Sequence, residues 1–464
     1  MNLKDKIKTI KAIWLMLLVV LFLVSCKVTE NYKRPTGIVT NNLYRDVNTA
    51  DSTSLADIPW KAMFSDTLLQ DLIQEGIDNN FDLKIAMARI KQAQANLRQS
   101  NATFYPTLTG HAIASVQKLT DAKSPPDLYQ LFGSSSWEAD IWGKLKTTKR
   151  AALANLLQSG AYKKAVQTQL VSNIASIYNT LMAYDAQLQV TLKTVENRKR
   201  SVTTIKQLKE SDVVTGAAVV QSEANLYSVE VTIPDLKQYI RETENALSIL
   251  LGRNPGSIAR DSLNKQQVRT DLQTGVAAQL LSNRPDVLEA EYQLRYYFEL
   301  TNIAKTYFYP SLIITAEGGL SNGSVSQWFN ASSLFGNIVG GLLQPIFNHG
   351  VNKQHLRVAE AQHEEYIYSF KKTLLNAGQE VSNALYSYQT ATDKIKIRSQ
   401  QISALQKSVD FTKELLKYTV NTNYTDVLTS EQSLLAAQLN SIGDKVQQLQ
   451  AIVALYRSLG GGWK

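Results

Sequence analysis

The chain has 464 residues, of which 44% are hydrophobic and 19% charged, so it contains enough apolar residues to bury a sizeable core. Its formal net charge is +9, but the basic residues are scattered and no nucleic-acid-binding motif accompanies them. We therefore interpret the charge as a mildly basic, solvated surface and expect no nucleic-acid partner. The single cysteine, Cys26, excludes an intrachain disulfide.

The N-terminal residues contain a positive stretch, an apolar run and the cysteine, in that order. Four lysines between positions 4 and 11 precede Ile13–Val24, an almost wholly apolar run that is too short for a comfortable transmembrane helix. This run leads into Leu23–Cys26, which resembles the lipobox of bacterial lipoproteins. We predict a lipoprotein signal peptide over residues 1–25, N-acyl and S-diacylglycerol lipid on Cys26, and a lipidated linker over residues 26–65. The alternative is an ordinary buried cysteine after a start-transfer helix.

The mature sequence contains similar short motifs about two hundred residues apart. Phe104-Tyr105-Pro106 recurs 204 residues later as Phe308-Tyr309-Pro310, and Leu251-Gly252 recurs 208 residues later as Leu459-Gly460. The offset is nearly constant, and it is too long for a solenoid, whose repeats span about 20–50 residues. We predict two structural repeats, residues 66–260 and 261–464. Each would contain a helix, two strands and a long helical hairpin.

The residues after Pro106 and Pro310 alternate between apolar and polar side chains, which is typical of membrane β-strands. The predicted partner strands run over Leu128–Trp142 and Leu334–Phe347; four strands of a soluble sandwich are the alternative. Four strands cannot close a barrel, and an open strand edge is not stable in lipid. We therefore expect oligomers, in which two copies give eight strands or three give twelve. The alternating apolar positions are Leu108, Gly110, Ala112, Ala114, Val116, Leu312, Ile314, Ala316, Gly318 and Leu320.

Two long stretches carry apolar residues at steps of three or four, the spacing of a coiled coil. The helix predicted over about Lys146–Ser211 would be about 100 Å long at 1.5 Å per residue, which fits a rod or a tube better than a compact domain. Its other faces are rich in Gln, Asn, Ser, Thr and Lys. A wall around a water-filled bore and an ordinary exposed coiled coil both fit this pattern. The apolar positions are Ile174, Ile177, Leu181, Tyr184, Leu188, Leu192 and Val195, then Ile367, Phe370, Leu374, Ala377, Val381, Leu385 and Tyr388.

Several stretches resemble the TolC-like outer-membrane factors, in particular the lipoproteins of resistance-nodulation-division (RND) efflux pumps. They are the lipobox, Arg284-Pro285-Asp286, Pro345-Ile346-Phe347 with Gly350, and the most specific one, Leu459–Trp463. The stretch from Trp60 through Phe64 and Asp66 to Ile73 adds to them. The resemblance implies a mainly α-helical, internally duplicated protein with a membrane β-barrel. It would be a homotrimer whose 12-stranded β-barrel continues into a 12-helix coiled-coil α-barrel, which also settles the strand count left open above.

The same resemblance implies a function: the outer-membrane channel of a tripartite RND-type efflux pump, a passive duct for drugs, metals or other small molecules. The implied partners are a periplasmic membrane-fusion adaptor, an inner-membrane RND transporter and outer-membrane lipid. The tunnel would lie in the periplasm. The alternative is the outer-membrane conduit of a type I protein secretion system; because many of those lack a lipobox, the sequence favours the pump.

The resemblance also implies a gate at the periplasmic tip, formed by helix turns near Ser211–Ala217 and Val420–Asp426. Tyr424–Leu428 resembles the second of these tips, and we predict Asp426, Val427 and Leu428 as gate residues. Three Asp426 carboxylates would form a ring, and such rings select cations in pores. The alternative is a simple helix N-terminal acid favoured by the helix dipole. Thr429 stands where the family often has a second acid.

An enzyme is the competing class, and nothing in the sequence favours it. The four histidines are His111, His349, His355 and His363, and none lies in an H-E-x-x-H motif. P-loop and G-x-G-x-x-G motifs are absent from the sequence. We therefore expect no catalytic, metal or cofactor site beyond the lipid on Cys26. A coiled-coil lipoprotein that tethers the outer membrane would explain the helices but not the duplicated strands.

Overall fold

The computed structural model describes residues 28–38, 43–45, 53–116, 127–266, 272, 274–275, 277–418 and 424–464. These residues form two compact units. Unit 1 comprises the described residues within 1–38, 89–160 and 289–371, and unit 2 those within 39–88, 161–288 and 372–464. The predicted lipid site, Cys26, lies outside the described residues.

Unit 1 contains one antiparallel sheet whose four strands are neighbours in chain order. They are β1 (Thr107–Ser115), β2 (Leu128–Ala139), β3 (Ser311–Asn322) and β4 (Leu334–Leu343). The four predicted strands are confirmed, but β2 and β4 end earlier than predicted. After β2, Asp140 turns the chain to cap the following helix, and after β4, Pro345 has no N–H to donate to a strand ladder.

Most of the described chain outside the sheet is α-helical, as predicted. Two helices are very long, 67 and 68 residues; the first is followed by two returning helices and the second by one. The helices are α1 (Trp60–Met63), α2 (Thr67–Asn79), α3 (Phe81–Ala102), α4 (Lys144–Glu210), α5 (Gly216–Glu230), α6 (Thr232–Leu250), α7 (Leu280–Asn283), α8 (Pro285–Thr306), α9 (Val351–Tyr418) and α10 (Tyr424–Ser458). The order of strand, strand, long helix and returning helix therefore occurs twice along the chain.

The apolar spacing of α4 and α9 corresponds largely to buried positions. Ile174, Leu181 and Val195 of α4 are buried, and so are Phe370, Leu374, Ala377 and Val381 of α9. Leu192 is 41% exposed in the single chain. No helix among the described residues is both long and apolar enough to span a membrane.

The returning helix of the first hairpin is divided where one uninterrupted helix was predicted. Its two parts, α5 and α6, meet at Val231, whose backbone remains helical. Pro234 lies in the first turn of α6 and has no N–H to donate to the carbonyl of Glu230. The missing hydrogen bond explains why the helix divides here.

Candidate functional site

One face of the sheet in unit 1 is apolar and exposed. The strand register places Leu320 of β3 between Leu131 of β2 and Leu334 of β4, so alternating apolar residues lie side by side. Leu108 and Ile338 on this face are 83% and 79% exposed. Soluble proteins rarely expose an apolar surface of this kind, whereas a membrane strand turns it toward lipid.

The opposite face of the sheet carries a polar row across all four strands. Thr109 pairs with Ser134, Ser134 with Glu317, and Glu317 with Asn337. The register brings polar residues of neighbouring strands together on one face and apolar residues together on the other. The alternation predicted from the sequence therefore gives the sheet one polar and one apolar face. A sheet with one apolar and one polar face suits a wall between lipid and water.

The two outer strands of the sheet have open edges. Strand β1 pairs only with β2, and β4 only with β3, among the described residues. Each edge therefore carries backbone N–H and C=O groups without a ladder partner in one copy. Such groups are very costly in lipid, where no water can satisfy them.

The junction between β2 and α4 lies beside the N-terminal segment of the chain. The Asp140 carboxylate accepts hydrogen bonds from the amides of Leu145 and Lys146, at 2.8 and 2.9 Å, and so caps α4. Gly143 has a φ of +78°, and a Cβ placed there would lie 3.2 Å from the Thr29 hydroxyl oxygen. Thr29 therefore lies at the end of the sheet.

Residues 28–38 are bound to the helices of unit 1, which sequence reasoning missed when it assigned a simple linker. The carbonyl of Glu30 accepts hydrogen bonds from Arg150 of α4 at 3.1 Å and Asn302 of α8 at 3.0 Å. Arg34 donates two hydrogen bonds to Glu291 of α8, at 2.8 and 2.7 Å. A bidentate pair of this kind fixes orientation as well as position.

The first predicted tip is a short turn between α4 and α5 in unit 2. Asp212 has a φ of +53°, a left-handed conformation that Asp tolerates better than most residues. The amide of Val213 donates to the carbonyl of Leu208 at 2.9 Å and closes the end of α4. The second tip turn, between Tyr418 and Tyr424, lies outside the described residues.

The three predicted gate residues lie in the first turns of α10. Asp426 is exposed, whereas Val427 and Leu428 are 2% and 6% exposed. The two apolar side chains pack with Tyr424 and with Ile205 of α4. Val427 and Leu428 thus fix this end of α10 within one copy, and only the Asp426 carboxylate is free to face water.

Polar contacts also join the start of α10 to the first hairpin. The Tyr424 hydroxyl donates to Ser222 Oγ of α5 at 2.7 Å, and Gln432 Nε2 donates to Asn225 Oδ1 at 3.1 Å. Arg198 of α4 donates to the carbonyl of the same Asn225. Burial lowers the pKa of the Arg198 guanidinium and raises the pKa of the Tyr424 hydroxyl. Sequence reasoning found none of these contacts.

The comparison with known proteins decides the family. The family model described as outer membrane efflux protein matches residues 72–253 and 276–461. The chain belongs to this family. It is 29% identical over 455 residues to the cation efflux system protein CusC of Escherichia coli K12, covering 96% of this chain and 98% of that protein. It is 27% identical over 441 residues to the probable outer membrane lipoprotein SilC of Salmonella typhimurium, covering 93% and 94%.

The fold agrees with a solved member of the family. A crystal structure of CusC superimposes with a TM-score of 0.85 at 27% sequence identity, covering 94% of this chain and all of that one. The TolC-like resemblance predicted from the sequence is therefore confirmed. The protein is the outer-membrane channel component of an efflux system.

Two of the motifs that indicated the family hold unit 2 together. Arg284, 4% exposed, donates hydrogen bonds to Asp286, to Glu380 and to the carbonyl of Ser458 near the C-terminus, all within 3.0 Å. Gly460 has a φ of +97°, and a Cβ there would lie 2.5 Å from the carbonyl oxygen of Asn283. The glycine thus allows the C-terminal segment to cross α7 closely.

The histidines do not assemble into a metal site among the described residues. His111 Nε2 lies 2.8 Å from Ser134 Oγ, His363 packs against Phe298, and His355 lies near Tyr307. No group of three or more His, Cys, Asp or Glu side chains able to hold a metal ion occurs in the part of the chain that the structure describes.

Proposed function

We propose that three copies of this chain close a single 12-stranded barrel, which continues into a 12-helix coiled-coil α-barrel built from two repeats, residues 66–260 and 261–464. The observation that carries the proposal is the single sheet with an exposed apolar face, a polar face and two open edges. Neighbouring copies would satisfy the edges of β1 and β4 by pairing them. Two copies would also close a barrel, and the TolC-like resemblance favours three.

The detergent-solubilised protein is expected to have three times the mass of the mature chain. Light scattering corrected for detergent, or native mass spectrometry, measures this directly. The same sample after heating in sodium dodecyl sulfate provides the monomer mass as an internal control. A stable monomer or dimer under native conditions is incompatible with the proposed assembly.

The duct would be passive and would work with a periplasmic membrane-fusion adaptor and an inner-membrane RND transporter. Drugs, metal ions or other small molecules are the proposed cargo, and the similarity to a cation efflux protein supports metals among them. A conduit for type I protein secretion is the second candidate. Cells lacking this protein should accumulate small pump substrates while polypeptide secretion stays normal, and the reverse result favours the second candidate.

Residues 1–25 are the proposed signal peptide, and Cys26 is the proposed lipid attachment point in the segment 26–65. Thr29, three residues after Cys26 in the sequence, lies beside Gly143 at the end of the sheet. A lipid on Cys26 could therefore enter the membrane surface next to the proposed barrel. The position of Thr29 supports the proposed attachment point.

Metabolic labelling with a radioactive fatty acid is expected to mark the wild-type protein and not a Cys26→Ser variant. The variant should still insert its strands, because the lipid anchors the protein and does not line the pore. Immunoblotting of the outer-membrane fraction controls for the amount of each protein. Equal labelling of both proteins would rule out Cys26 as the attachment point.

A further inference from the structure

The polar face of the sheet contains a row of aromatic rings that the channel function does not by itself require. In register order, this row is His111 of β1, Phe132 of β2, Gly319 of β3 and Phe335 of β4. The His111 and Phe132 rings are stacked, with centroids 4.7 Å apart and planes 16° apart. The centroids of Phe132 and Phe335 are 5.8 Å apart. Three rings, from β1, β2 and β4, therefore form a continuous strip that passes over Gly319 of β3.

Gly319 is what allows the strip to form. A Cβ at this position would lie 2.5 Å from the Cα and Cβ atoms of Phe132, so any larger residue would have to displace β2. Without a side chain at position 319, Phe132 and Phe335 can approach each other over β3. His111 Nε2 lies 2.8 Å from Ser134 Oγ, which holds the imidazole plane against Phe132. All three rings keep part of their surface exposed in a single copy.

A carboxylate lies in the next row of the same face. Glu317 is two residues from Gly319 on β3, about 7 Å along the strand, and its cross-strand neighbours are Ser134 and Asn337. No ion pair joins Glu317 to a basic side chain within the described ranges. Half-buried aromatic rings beside a carboxylate are the chemistry that attracts organic cations, because the ring quadrupole and the negative charge act together.

We propose that this strip and Glu317 form a binding site inside the barrel for aromatic organic cations. The inference rests on the proposed function, because the polar face lines a bore only if copies close the barrel. In a trimer the strip would occur three times around the bore. Small hydrated metal ions would interact with Glu317 alone, whereas an aromatic cation would also stack on Phe132 and Phe335.

Single-channel recording in planar bilayers tests the proposal with benzyltrimethylammonium as the blocking ion and its cyclohexylmethyl analogue as a non-aromatic probe of equal charge. Wild-type pores should be blocked at a lower concentration of the benzyl compound. The Phe132→Leu/Phe335→Leu double variant should raise the half-blocking concentration of the benzyl compound about fivefold and remove the difference between the two probes. Glu317→Gln, which leaves the aromatic packing intact, should weaken block by both.

Phe329→Leu is the matched control, because Phe329 is 92% exposed and lies outside the strands; it should leave block unchanged. Equal block by the two probes in wild type, or unchanged block in conducting Phe132→Leu/Phe335→Leu and Glu317→Gln pores, would overturn the inference while leaving the channel in place. Wild-type protein that forms no pores would overturn the proposed barrel and this site with it.

Discussion

Replacing Arg284 with methionine is expected to lower the melting temperature of the detergent-solubilised protein by about 5 °C. Arg284 is 4% exposed, and its guanidinium donates to the carbonyl of Ser458 and to Asp286 and Glu380, whose side chains are 41% and 37% exposed. Its loss leaves the Ser458 carbonyl without this donor and Asp286 without its cation, whereas Glu380 keeps Arg457 at 3.3 Å, so we expect a cost of about 1–3 kcal/mol. The loss should also release the C-terminal segment, which limited proteolysis followed by mass spectrometry can detect.

The matched control is Arg253→Met. Arg253 pairs with Glu75 at 3.1 Å on the surface of the same unit, and both side chains are about a third exposed. Surface pairs contribute about 0–1 kcal/mol, so this variant should melt close to the wild type. If both arginine variants melt alike, the buried network does not hold the C-terminus as described.

The decrease in melting temperature caused by Arg284→Met should also depend on pH. Burial alone would raise the pKa of the Asp286 carboxyl, but the hydrogen bonds and charge of Arg284 outweigh it and hold the pKa below its usual range. A carboxyl with a depressed folded-state pKa stabilises the protein above its unfolded pKa of about 3.9 and loses this effect as pH falls through the folded value. The difference in melting temperature between wild type and Arg284→Met should therefore be full at neutral pH and shrink below about pH 4.

Replacing Asp426 with alanine is expected to abolish most of the channel's block by a trivalent cation added from the periplasmic side. We propose that three copies bring the exposed Asp426 carboxylates together at the tip, where they form a cation-binding ring. Even at about 1 kcal/mol per charge pair in water, the loss of three carboxylates would weaken trivalent binding about a hundredfold. Cation preference of the open pore should fall as well.

Asp235→Ala separates the ring from a simple helix-end effect. Asp235 is also an exposed acid in the first turn of a helix, α6, but it is remote in sequence from both predicted tips. This variant should keep the wild-type block. Unchanged block in Asp426→Ala would mean that Asp426 is only a helix N-terminal acid favoured by the helix dipole. The channel assignment would survive this result, but the gate assignment would not.

The periodic features of the fold could be read from the sequence because they repeat locally. Alternation after Pro106 and Pro310 located β1 and β3, and steps of three and four located α4 and α9. The ends of strands were less predictable, because Asp140 could belong to a strand or cap a helix. Only the structure shows that its carboxylate accepts from the amides of Leu145 and Lys146.

Long-range contacts could not be predicted in the same way. Arg284 was singled out as a family motif, but its bond to the carbonyl of Ser458 crosses 174 residues of sequence. The binding of Arg34 to Glu291 crosses 257 residues, and no local pattern marks either partner. The aromatic strip likewise depends on the register that aligns His111, Phe132 and Phe335. Such contacts depend on how the chain folds. A single sequence gives the types of the residues but not which of them come into contact.

Recording of the purified wild-type protein in planar lipid bilayers tests the central claim most directly. If copies close their open sheet edges into a water-filled barrel, the current should rise in discrete, equal steps as single pores insert, with a preference for cations. The protein must first be shown to be folded and oligomeric in the same detergent. The absence of current then means that the oligomer forms no pore. A flat baseline from such protein would contradict the channel account.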